Sequence, residues 1–224
     1  MKRKEIPIAN QIVHLYNRGV NRQPIFFTRE NWHFFLRRLR HYCTADQADI
    51  LAYCLMPNHY HLLVHLHTDT FGADVMQPFI ISYTKAINKQ QGRVGPLFQG
   101  PYQAKRVDNQ RYLMHLTRYI HLNPVAARLT DAPQAWPYSS FQEYIGTRSG
   151  TLPRPEMVLA QVGGGGGSSS SRNPVFLKNR VSEKVSEKNR VSEMSDAQRA
   201  YADFVCSPDD FRAGLTDALL FNDE

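Results

Sequence analysis

The run Met56-Pro57-Asn58-His59-Tyr60-His61-Leu62-Leu63-Val64 sets two imidazoles one residue apart in an apolar, strand-like segment. Side chains of a strand alternate between faces, so His59 and His61 point one way while Tyr60, Leu62, Val64 and Leu66 point the other. Two imidazoles side by side can share a divalent cation, but a metal site needs further ligands. The stretch Arg118-Tyr119-Ile120-His121-Leu122-Asn123-Pro124 offers them. On a helix Tyr119 and Asn123 lie four apart on one face, with His115 a turn earlier, so a phenol and an amide oxygen are presented together. Imidazole with an amide oxygen is a borderline donor set, compatible with Mg²⁺ or Mn²⁺. His121 falls about 160° from Tyr119 around the helix and is excluded as a partner. His65 and His67 share the parity of His59 and His61 but lie near the strand end, and read as surface residues.

These groups must be positioned by the elements around them. Ile12 to Tyr16 reads as a short strand ending at the turn Asn17-Arg18-Gly19. From Thr28, an N-cap candidate, to about His41, the residues Trp32, Phe35, Leu36 and Leu39 recur at helical spacing. Ile50 to Leu55 and His59 to His65 are apolar runs separated by Met56-Pro57-Asn58, a hairpin-like signal. Val75 to Gln90 reads as a second helix on Phe79, Tyr83 and Ile87. Phe98 to Val107 reads as a strand whose beginning Gly100-Pro101 demotes to an edge or a bulge. Asn109 is the candidate cap of a helix running to Leu122, with Pro124 after it. Strand, helix, strand, strand, helix, strand implies an α+β, ferredoxin-like antiparallel sheet with helices on one face. The other face is then open, with His59 and His61 on it and the Tyr119 helix near it.

With 224 residues the chain can form one domain with a proper core plus a tail. It carries 27 Lys and Arg against 20 Asp and Glu. Residues 1–160 hold 19 basic and 10 acidic side chains, whereas 195–224 hold 2 basic and 7 acidic. A basic body suits a polyanionic partner, nucleic acid first. The 3 cysteines, Cys43, Cys54 and Cys206, are far apart, which indicates neither a disulfide framework nor a thiolate zinc site. No run approaches the ~18 apolar residues of a membrane span, and polar residues interrupt any apolar region behind Met1-Lys2-Arg3-Lys4. A soluble, cytoplasmic protein is expected. The composition divides into a domain over 1–160, a Gly/Ser linker with a low-complexity repeat over 161–194, and a short acidic helical tail over 195–224. That tail, tethered by a long linker, either packs its helices on the domain or stays in solvent, or docks on the basic body and competes with DNA.

The blocks Met56-Pro57-Asn58-His59-Tyr60-His61-Leu62-Leu63, Tyr119-Ile120-His121-Leu122-Asn123-Pro124-Val125 and Trp136-Pro137-Tyr138-Ser139-Ser140 resemble those of the HUH endonucleases with a single tyrosine. More narrowly, they resemble the REP-associated tyrosine transposases. Softer matches are His14 through Gly19 and Gly95-Pro96-Leu97-Phe98-Gln99-Gly100. The resemblance implies a metal-dependent endonuclease and transposase that cleaves and rejoins single-stranded, hairpin-forming repeat DNA, acting as a monomer or homodimer without a nucleotide cofactor. Tyr119 would be the nucleophile, and His59, His61 and Asn123 would hold Mg²⁺ or Mn²⁺. Arg18, Lys105, Arg106, Arg111 and Arg118 would contact the DNA backbone. Ala126-Ala127-Arg128 stands where the family usually reads Arg-Ala-Gly, and Pro101 where an arginine is common. A replication or conjugation nickase is the alternative within the enzyme class, and a cleavage-deficient repeat-DNA binding protein the alternative outside it.

Overall fold

A computed structural model describes residues 7–162 and 194–207. The expected linker, the repeat and the acidic residues beyond Ser207 lie outside the described residues. The elements run β1 (Ile12–Arg18), α1 (Arg29–Tyr42), β2 (Ala48–Met56), β3 (His59–Leu66), α2 (Gln77–Gln91), β4 (Gln103–Arg106), α3 (Gln110–Ala126), α4 (Phe141–Tyr144), α5 (Glu156–Leu159) and α6 (Asp196–Cys206). The strands form one sheet in the order β2-β3-β1-β4, every neighbouring pair antiparallel. This is the ferredoxin-like α+β arrangement. A two-residue turn, Pro57-Asn58, joins β2 to β3 and opposes Met56 to His59. The register of the whole site follows from that turn, because a slip by one residue would send both histidines to the other face.

The strand alternation sorts the apolar residues into two cores. Val13, Leu15, Tyr60, Leu62, Val64 and Leu66 pack with Phe35 and Leu39 of α1 and with Phe79, Tyr83 and Ile87 of α2. Leu51, Ala52, Cys54, Met56 and Leu63 face the other way, onto Leu116, Tyr119 and Ile120 of α3 and Tyr201 and Val205 of α6. Helices α1 and α2 thus cover one face as expected, while the face expected to be open carries α3 with α6 beside it. A β-bulge between Ile50 and Ala52 turns Leu51 and Ala52 to the same side and enlarges this second core. The free edge of β2 is sealed by the chain that follows α3. Leu55 donates its amide to Tyr138, Ser140 donates to Tyr53, and Arg154 donates to Ile50. An edge covered this way offers no unpaired ladder to another chain.

Two boundaries differ from the sequence reading. β4 is only Gln103–Arg106, because Gly100-Pro101 delays pairing, and Phe98 contributes an isolated bridge to Gly19. α3 continues through Pro124 to Ala126. Proline there removes a single hydrogen bond in the last turn. The Asn109 side chain caps the start of α3 by accepting the Tyr112 amide at 2.8 Å.

Candidate active site

His59 and His61 stand on the second face of β3 with ring centroids 5.1 Å apart and planes at 85°. Each is held through one ring nitrogen. His59 Nδ1 lies 2.6 Å from Asn58 Oδ1, so the amide oxygen takes the Nδ1 proton and leaves Nε2 as the nitrogen that would face a cation. His61 Nδ1 shares a 2.9 Å hydrogen bond with His14 Nε2, which likewise directs His61 Nε2 to that role. Burial is nearly complete for all three rings and keeps them neutral. It lowers His59 to about 4, His61 well below its ordinary value, and His14, with Lys105 adding to the effect, to about 3.

The α3 residues arrive from above. Tyr119 sets its ring edge-on to His61, with centroids 5.5 Å apart and planes at 80°. One turn later Asn123 donates Nδ2 to the Tyr119 carbonyl at 2.8 Å. A carbonyl only accepts, so this contact fixes the amide orientation and turns Oδ1 away from the backbone. The Asn123 side chain lies beside the His59 ring on the same cleft. The i, i+4 pair and the His-x-His pair of the sequence are therefore in contact. Beside them opens a cleft of about 510 Å³ lined by Arg22, Asn58, His59, Tyr119, Asn123 and Leu129.

Two residues escaped the sequence reading. His14, fully buried, orients His61, and Tyr16 stacks on His14 at 4.8 Å. Their signal was the parity of β1, where Val13 and Leu15 enter the first core and leave His14 and Tyr16 on the side of His61.

The cationic residues divide. Arg18 pairs with His59 across the β1–β3 ladder and hydrogen-bonds Gln99. Lys105 pairs with His14 on β4, on the site face. Arg111 is exposed at the start of α3. Arg106 lies opposite Val13, so alternation sends it to the other face, where it pairs with Asp108. Arg118 is a correction. It is 1 % exposed, donates to the carbonyls of Val205 and Ser207, and stacks on Phe204. It holds α6 and has no surface for DNA. His115 is spent similarly, edge-on to Phe204. His65 and His67 are not isolated surface residues either, for they meet Asp49 at the far end of β3.

The sequence profile described as IS200-like transposase matches residues 8–123. A protein of Haemophilus influenzae named as a REP-associated tyrosine transposase is 24% identical over 109 residues, covering 44% of this chain and 62% of the relative. A solved REP-associated tyrosine transposase, bound to a REP hairpin, superposes with a TM-score of 0.50 at 18% identity, over 69% of this chain and 93% of that one. At that identity the likeness is one of fold, and it agrees with the sheet order and helix placement above. The profile spans more than half of the chain, from the start of β1 through Asn123, and so includes the two histidines, the tyrosine and the asparagine. This chain belongs to the IS200-like transposase family.

Proposed function

We propose that this protein is a metal-dependent endonuclease and transposase that cuts and rejoins single-stranded, hairpin-forming DNA through a phosphotyrosine intermediate. The observation that carries the reading is the convergence of Tyr119, Asn123 and His59 on one cleft, with His61 packed against the Tyr119 ring behind it, from two segments remote in sequence. The donor set is a borderline one compatible with Mg²⁺ or Mn²⁺ and not selective between them: both rings are neutral, each has one nitrogen fixed by a neighbour, and Asn123 commits Nδ2 to the Tyr119 carbonyl, which leaves Oδ1 as its donor to a cation. Such an ion would polarise the scissile phosphate. With no carboxylate in the set, its charge would be balanced chiefly by the DNA phosphate.

In this mechanism Tyr119 Oη attacks phosphorus, the Oη–P bond forms and the P–O3′ bond breaks. The phenolic proton is lost to solvent, and the departing 3′ oxygen takes one up as a 3′-hydroxyl. One phosphodiester is exchanged for another, so a 3′-hydroxyl can reverse the step and join strands without a nucleotide cofactor. His14 holds the His61 ring through the cycle, and α3 holds Tyr119 and Asn123 in fixed relation. Arg18 and Lys105, on the site face, would draw the phosphate backbone across the cleft. Incubating end-labelled single-stranded hairpin DNA with the protein tests this, with Mn²⁺ or with chelator. A denaturant-resistant protein–DNA adduct that requires Mn²⁺ is expected. Binding without an adduct under any metal would replace this reading with that of a cleavage-deficient binding protein.

A further inference from the structure

The His-x-His spacing occurs twice on β3 and its extension. His65 and His67 repeat the geometry of His59 and His61 on the same face, and the ladder sets Asp49 directly opposite His65. One ligand atom from each of Asp49, His65 and His67 lies within 4.8 Å of the others. We propose that this triad is a second divalent-metal site, separate from the catalytic one and selective for a first-row transition ion of the zinc type.

The hydrogen bonds around it argue for a cation. His67 Nδ1 is 3.0 Å from the Ala45 carbonyl, an acceptor only, so Nδ1 carries the proton. In the neutral ring Nε2 is then a bare lone pair, and it faces Asp49 Oδ2 at 3.1 Å. Two acceptors at that distance need a positive charge between them, either a second proton on the ring or a metal. The carbonyl-fixed imidazole is the arrangement that metal-ligating histidines adopt. The third ligand separates the two cases. His65 is half-buried, and its Nδ1 is a buried atom with no hydrogen-bond partner among the described residues. A proton shared by His67 and Asp49 does nothing for that atom, whereas an ion in the triad would engage the His65 ring.

Asp49 is steadied from its other side, with Oδ1 3.6 Å from Arg154 Nε. Metal–nitrogen bonds of about 2.0–2.1 Å place tetrahedral ligand atoms about 3.3 Å apart. The His67–Asp49 separation already matches, and the third ligand closes by a small side-chain adjustment. The side chains of His67 and Asp49, 29 % and 22 % exposed, leave a path for entry and for a completing water. Two imidazoles with one carboxylate favour Zn²⁺ or Co²⁺ over Mg²⁺. Along β3 the site lies about 13 Å from His61, at 3.3 Å per residue, so no single ion serves both. Its effect is to clip the start of β2 and the end of β3 to the turn after α1.

Titration of the chelator-treated full chain with Co²⁺, followed by visible absorption and thermal unfolding, tests the site independently of DNA cleavage. Two equivalents are expected for the natural sequence, and one for His67→Ala, for Asp49→Asn and for the double variant His59→Ala/His61→Ala. The equivalent left in the double variant should raise the unfolding temperature and lose at least tenfold in affinity when His67→Ala is added. His67 and Asp49 are partly exposed, so the single variants should fold without metal, as circular dichroism would verify. A single equivalent in the natural sequence that His67→Ala and Asp49→Asn leave unchanged would overturn the proposal. If Co²⁺ binds as expected but no DNA adduct forms, the second site stands and the cleavage reading falls.

Discussion

Tyr119 is 5 % exposed, and its ring belongs to the second core. The ring therefore does packing work that phenylalanine can repeat, while the hydroxyl would do the chemistry. Tyr119→Phe should leave the unfolding temperature and hairpin affinity nearly unchanged and abolish the adduct, a loss of at least about 10³-fold. His59→Ala and His61→Ala should abolish cleavage as well. His67→Ala should leave the cleavage rate intact, because the sheet carries it to the opposite end of β3. Most of this site was legible in the sequence, because its two signals are local periodicities: alternation along β3 and the i, i+4 step along α3. His14 was not, because the parity of β1 gives only the face it occupies, and the pairing of β1 with β3 is what sets it beside His61. Arg118 misled for the related reason that a helix wheel shows its direction but not what waits there.

At the scale of elements, α6 explains Arg118. Its Tyr201 is fully buried and meets His121 Nδ1 through the hydroxyl at 2.8 Å, while His121 Nε2 meets Ser140 Oγ at 2.8 Å. Burial lowers His121 from 6.5 to about 3. A histidine whose folded value is depressed contributes its full stability above about pH 6.5 and loses it as pH falls towards about 3, because only the unfolded chain takes up the proton. Each such group costs about 2 kcal/mol between pH 6.5 and 5, and His14, His59 and His61 act in the same direction. Urea unfolding across that range should show the fall, and His121→Gln should flatten its slope. The helices and strands were read well where one face is apolar. The covered second face was missed, although Ile50 through Met56 is apolar without alternation, the mark of a strand buried on both sides. Covering it required α6, which follows a long polar stretch, so the sequence allows it to pack on the domain without showing which face receives it.

For the whole molecule, the distribution of charge and the packing of α6 make separable claims. Truncation after Val162 removes α6 and uncovers Leu116 and Ile120, so we expect a loss of about 3–5 kcal/mol or failure to fold. Truncation after Ser207 keeps the Tyr201 and Arg118 contacts and should unfold within a few degrees of the full chain. Thermal unfolding of both would distinguish a docked core helix from a dispensable tail. Lys105→Ala should lower DNA affinity and reduce the salt slope by about one counterion, whereas Arg118→Ala should lower stability without changing that slope. In the proposed reaction a single atom, Tyr119 Oη, attacks the DNA. Trapping the adduct with Mn²⁺, digesting protein and DNA, and sequencing the modified peptide by mass spectrometry would locate that atom. A nucleotide on Tyr119, in the peptide ending at Arg128, is the expected result; a nucleotide on any other tyrosine would contradict it.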